Sequence, residues 1–106
     1  MIYPIDVVGL QEMERGQRFG LVVIHRSNNT RMMDLLEPIS DALMTEIFHI
    51  NLNKQVLEWL DIYNLKTWFP IILFYKPGKP RVVLHQPKLQ DVVNMCIGRP
   101  YNADPT

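Results

Sequence analysis

Cysteine is nearly absent from this chain, with Cys96 standing alone. One thiol can form neither an intramolecular disulfide nor a thiolate metal cluster, and reducing surroundings, the cytoplasm, are the natural expectation. An excess of charge is missing too: eleven basic and eleven acidic residues cancel. No long-range field gathers phosphates or anionic lipids, and Lys and Arg are scattered rather than interleaved with aromatics, so nucleic acid is not expected as a partner. Zero net charge also leaves little repulsion between copies, which permits self-association or burial in a larger assembly. Long apolar runs are lacking as well. Nowhere do about eighteen apolar residues occur together, and MIYPIDVVGLQEMERG has no basic start followed by an apolar stretch. Neither a membrane span nor a signal peptide is expected.

The residues of common catalytic sets are equally sparse. No glycine loop suited to phosphate, no Ser-His-Asp set and no paired carboxylates stand out. His25, His49 and His85 are far apart, and none has a metal-type partner three or four residues on. Catalytic residues, cofactors and metals are therefore not expected. His25 and His49 should sit on neighbouring strands, where a satisfied core imidazole is the commoner role.

What is present is the composition of one soluble domain: 106 residues, 47% hydrophobic and 21% charged, near the globular average. Residues 1–98 read as the domain and 99–106 as a loose tail. Ile2 to Ile5 reads as an edge strand, with Pro4 tolerable there. Asp6 can cap a helix carrying Val7, Leu10 and Met13 that Gly16 ends. Leu21 to Ile24 is a β-branched and apolar run suited to a central strand covered on both faces. Ser27-Asn28-Asn29-Thr30 supplies capping side chains for a helix predicted to bury Leu35, Leu36, Ile39 and Leu43, bent by Pro38. Glu46 to Leu52 reads as the next parallel strand. Asn51 or Asn53 caps a helix with Val56, Leu60 and Tyr63 on one side, where Trp59 reads as core. Ile71 to Tyr75 and Arg81 to His85 flank Lys76-Pro77-Gly78-Lys79-Pro80, the pattern of a β-hairpin. Pro87 opens a closing helix with Leu89, Val92, Val93, Cys96 and Ile97 inward, and Gly98 stops it. The expected class is α/β, a central mixed sheet in the order β-α-β-α-β-α-β-β-α flanked by helices.

Two stretches, FGLVVIHRSNNTRMMDLLEP from Phe19 and YNLKTWFPIILFYKPGKP from Tyr63, resemble the thioredoxin-like superfamily. Pro38 matches the proline that kinks that family's second helix, and counting back places Thr30-Arg31-Met32-Met33 where the family carries Cys-x-x-Cys. Pro70 matches its cis-proline, given one inserted residue after Tyr63. The resemblance implies a thioredoxin-like fold whose chemistry is gone. Thr30 and Met33 replace both thiols, and Ile24 stands where the family buries a carboxylate.

The resemblance further implies that the residue before the cis-proline, here Phe69, pairs its backbone with an extended partner segment. A groove floored by Pro70 and rimmed by Arg31, Met32, Trp68 and Phe69 is the expected partner-binding site, with Thr30 and Met33 as further candidates, and it is rich in residue types enriched at interface cores. For Met32, Met33, Trp68 and Phe69 the competing reading is that they fill the space left by the missing disulfide. The expected function is non-catalytic binding of another protein as regulator, adaptor or assembly factor. A phage or plasmid gene acting on a host protein is compatible with so small a chain. The alternative is a structural subunit of a complex or homo-oligomer, with the edge strand Arg81 to His85 as its contact.

Overall fold

A computed structural model describes residues 1–16 and 18–102. Five strands form one mixed sheet: β1 (Ile2–Pro4), β2 (Gly20–His25), β3 (Ile47–Asn51), β4 (Ile71–Tyr75) and β5 (Val82–His85). Four helices flank it: α1 (Val7–Arg15), α2 (Arg31–Leu36), α3 (Lys54–Ile62) and α4 (Leu89–Ile97). The strand order is β1-β3-β2-β4-β5. β1, β3 and β2 run parallel, whereas β4 is antiparallel to both of its neighbours.

Burial explains the order. Every residue of β2 and of β4 is buried, so these apolar runs take the centre of the sheet, covered on both faces. β1 is short and partly exposed, and as an edge strand it accommodates Pro4. Alternating side chains divide the core into two layers. Val22, Ile24, Phe48, Ile71 and Leu73 meet α1 and α3 through Leu10, Met13, Val56, Trp59 and Leu60. Leu21, Val23, Ile47, Ile72 and Phe74 meet α2 and α4 through Met32, Leu36, Val92 and Met95.

Two of the predicted caps form as side-chain bonds. Asp6 Oδ1 accepts the Gly9 N–H at 2.9 Å, and Asn53 Oδ1 accepts the Val56 N–H at 2.9 Å. Gly98 closes α4 in the left-handed conformation (φ 79°). Among the described residues no helix is long and apolar enough to cross a membrane.

The second helix differs from its predicted form. α2 lasts six residues and passes into two 3-10 turns, Glu37–Ile39 and Asp41–Leu43. Pro38 has no N–H to give the carbonyl four residues back, so the α-helical ladder ends and the helical phase changes. Met32 therefore points inward in place of Leu35, which is 38% exposed, while Leu36 and Leu43 are buried as expected and Ile39 is half-buried. Thr30 occupies the N-cap position without capping: its hydroxyl donates to Asp34 Oδ2 at 3.1 Å.

Smaller corrections fall elsewhere. Tyr63 lies past the end of α3 and is partly exposed, and Trp59 takes the inward place. In α4 the buried stripe is Val92 and Met95, with Ile97 on the outside. Residues 99–102 adopt no regular structure, and the Asn102 N–H donates to Asp91 Oδ1 at 3.1 Å; positions 103–106 of the expected tail lie outside the described residues.

Candidate functional site

Three chain segments converge at the carboxyl end of β2. The first is the turn after β2, where the Asn29 N–H donates to the Arg26 carbonyl at 3.0 Å and Asn29 Oδ1 accepts the Arg31 N–H at 3.4 Å. These bonds hold the chain at the start of α2 and leave Arg31 pointing to solvent. The second is Phe69-Pro70 at the head of β4, joined by a cis peptide bond. The third is the connection from β5 to α4, tied down by the Gln86 N–H, which donates to the Pro70 carbonyl at 2.8 Å.

Between them lies a groove of about 490 Å³. Met32, Leu35, Phe69, Pro70 and Leu89 give it apolar walls, and Arg31 and Lys88 are its charged lining residues. The groove is within the size range of ligand pockets, and its composition, mostly apolar with a few polar groups, matches theirs. Phe69 is 8% exposed, and the Arg26 guanidinium lies 5.3 Å from its ring centroid. Among the described residues neither the N–H nor the carbonyl of Phe69 has a backbone partner.

Of the predicted site residues, Arg31, Met32, Phe69 and Pro70 come together in this groove. Met32 and Phe69 are buried, so they form wall rather than an exposed rim. Thr30, Met33 and Trp68 are outside its lining. Thr30 bonds Asp34, and Met33 packs on the core layer under α2 and α4. Trp68 is 46% exposed, meets His85 edge-on with centroids 6.2 Å apart, and carries the Lys66 ammonium 4.5 Å from its ring. Trp68 is thus a surface side chain beside the groove, and it does not fill the core. Sequence reasoning missed Leu35 and the Gln86–Leu89 connection. The hairpin carried the signal: with Ile71 paired to His85, Gln86 falls beside Pro70.

The histidines form a second polar feature nearby. His25 Nε2 and His49 Nδ1 are 3.1 Å apart, and His25 Nδ1 is 3.0 Å from the Arg26 carbonyl. A carbonyl only accepts, so His25 Nδ1 carries a proton, and a single proton between His25 Nε2 and His49 Nδ1 joins the two rings. Burial, then the neighbouring His25, lowers the His49 pKa, against an opposing pull from Glu37. Burial also lowers that of His85, with Lys66 adding to it and a backbone bond to Trp68 opposing.

Thr30 and Met33 carry no thiol, and burial pushes the Cys96 thiol up, away from the reactive thiolate. Among the described residues no three His, Cys, Asp or Glu side chains stand close enough together to hold a metal ion. No protein-family model matches the chain, and no curated protein matches it in sequence.

Proposed function

We propose that this chain is a thioredoxin-fold protein without dithiol chemistry that acts by binding another protein as a regulator, adaptor or assembly factor. The strand order, with β4 antiparallel to both neighbours and a cis Phe69-Pro70 bond at its head, supports the fold assignment. Thr30 and Met33 at the thiol positions, and fully buried Ile24 at the carboxylate position, support a binding role over an enzymatic one. A single cysteine suits a reducing compartment such as the cytoplasm.

The observation that carries the reading is the open apolar groove beside the unpaired backbone of Phe69. An extended segment can lay its main chain along Phe69 and place one side chain between Met32, Leu35 and Leu89. A second reading, a structural subunit or homo-oligomer, draws on the outer edge of β5, where Val82 and Val83 are half-buried and, among the described residues, no further strand pairs. A photo-crosslinking residue placed in turn at Leu35 and at Val83 separates the two. A heterologous crosslink from position 35 alone supports the groove. Crosslinking from position 83 alone, or a solution mass above one chain, moves the interface to the sheet edge and overturns the first reading.

A further inference from the structure

The two charged side chains that line the groove are both cations and both exposed: Arg31 at the start of α2 and Lys88 just before α4. Both border the same largely apolar groove. Positive charge continues outside the lining, with Arg26 over the Phe69 ring and Lys66 over the Trp68 ring. The nearest carboxylates on the same helices are Asp34 and Asp91, and each accepts from a neutral donor, the Thr30 hydroxyl and the Asn102 N–H respectively. A carboxylate keeps its charge when it accepts from a neutral donor, so against Asp34 and Asp91 the four cations leave a local excess of two positive charges beside the groove, whose own charged lining is cationic.

Such a surface discriminates among peptides. A segment with a large apolar side chain would bury it on Met32, Leu35, Phe69 and Leu89, and the residues flanking that anchor would come beside Arg31 and Lys88. Carboxylates there meet opposite charge, whereas Lys or Arg meets like charge. Resting on the proposed binding role of this groove, we infer that its occupant is an extended acidic peptide segment, in which Asp or Glu flanks one large apolar anchor residue.

Exposed ion pairs change affinity by about 1.4- to 5-fold each. Reversing both cations, which replaces attraction by repulsion, should weaken an acidic ligand by at least about fivefold. Raising salt should weaken it as well, because these charges are exposed.

The test is selection from a random heptapeptide display library on wild-type protein, on the charge-reversed Arg31→Glu, Lys88→Glu variant, and on Leu35→Glu, which blocks the slot from an exposed position. The expected result is enrichment on wild type of peptides with one large apolar residue and neighbouring Asp or Glu, absent on Leu35→Glu. A synthetic version should bind the charge-reversed protein at least about fivefold more weakly, and its Asn/Gln analogue, which loses attraction without gaining repulsion, should lose at least about twofold on wild type. Enrichment of neutral or basic apolar peptides that Leu35→Glu abolishes would overturn the acidic preference while leaving the groove as a peptide site. No enrichment on wild type beyond Leu35→Glu would overturn both.

Discussion

Replacing Glu14 by Leu should cost about 3 kcal/mol of stability, because the carboxylate serves two partners at once. Glu14 Oε2 accepts the Tyr75 hydroxyl at 2.7 Å, and its Oε1 accepts from the Arg81 guanidinium. The two charged side chains are only 16% and 21% exposed. Arg81 also lies 4.9 Å from the Tyr63 ring centroid, and its Nε is buried without a partner. Losing one member of a fully buried pair costs about 3–5 kcal/mol, since the other charge stays dehydrated, and partial exposure puts this pair at the lower end. Removing both charges with Glu14→Leu and Arg81→Met takes away that uncompensated charge. The double variant should therefore recover about 2 kcal/mol relative to Glu14→Leu, leaving mainly the unpaired Tyr75 hydroxyl at about 1 kcal/mol. Urea denaturation followed by circular dichroism reads the difference as a fall in midpoint of about 1–3 M for the single variant. The same cluster sets an alkaline limit. Burial, then the Glu14 hydrogen bond and charge, pushes the Tyr75 pKa far up. The unfolded phenol ionises near pH 10 while the folded one keeps its proton, so stability is intact below that pH and falls above it. A Glu14→Leu cost below 1 kcal/mol, or a double variant no more stable than the single, would refute the claim that the pair is held away from water.

Two further outcomes follow from other groups. His49 and His85 have lowered pKa values in the fold, so the unfolded chain takes up protons first; stability should be full above about pH 6.5 and decline below it, and His49→Asn should flatten that decline. An unchanged slope between pH 7.5 and 5.5 in that variant would rule out His49 as a source of the decline. Cys96, raised by burial and packed against the α2/α4 core layer, should react with a thiol reagent at neutral pH more slowly in native protein than in urea. Equal rates would place the thiol in free solvent contact.

The two halves of this molecule differ in how readable they are. The buried runs in β2 and β4 and the caps at Asp6 and Asn53 are local: unbroken apolar sequence needs two covered faces, and a carboxylate or amide beside a helix start needs only its own backbone. Thr30 shows where that logic stops, since the same residue type found a competing acceptor in Asp34 one turn away. Pro38 was visible, but the phase shift it imposes was not, and a helical wheel drawn through it exchanged Leu35 for Met32. The groove was half legible. Arg31 and Pro70 mark it from their own segments, whereas Leu35 depended on the true length of α2 and Lys88 on carrying the hairpin register one residue past its last pair.

The position of β2 also governs how the chain is made. Its edges are claimed by β3 on one side and β4 on the other, and all six of its residues are buried once the sheet is complete. On the ribosome β3 arrives first, so β2 waits with one edge bare until Tyr75 has been synthesised. At about 5–20 residues per second that interval is on the order of seconds. During it, a flat run of Leu21, Val22, Val23 and Ile24 is the most adhesive surface the nascent chain presents. Truncation between β3 and β4 should therefore yield insoluble product, while the 106-residue chain, with β4 on that edge, stays dispersed.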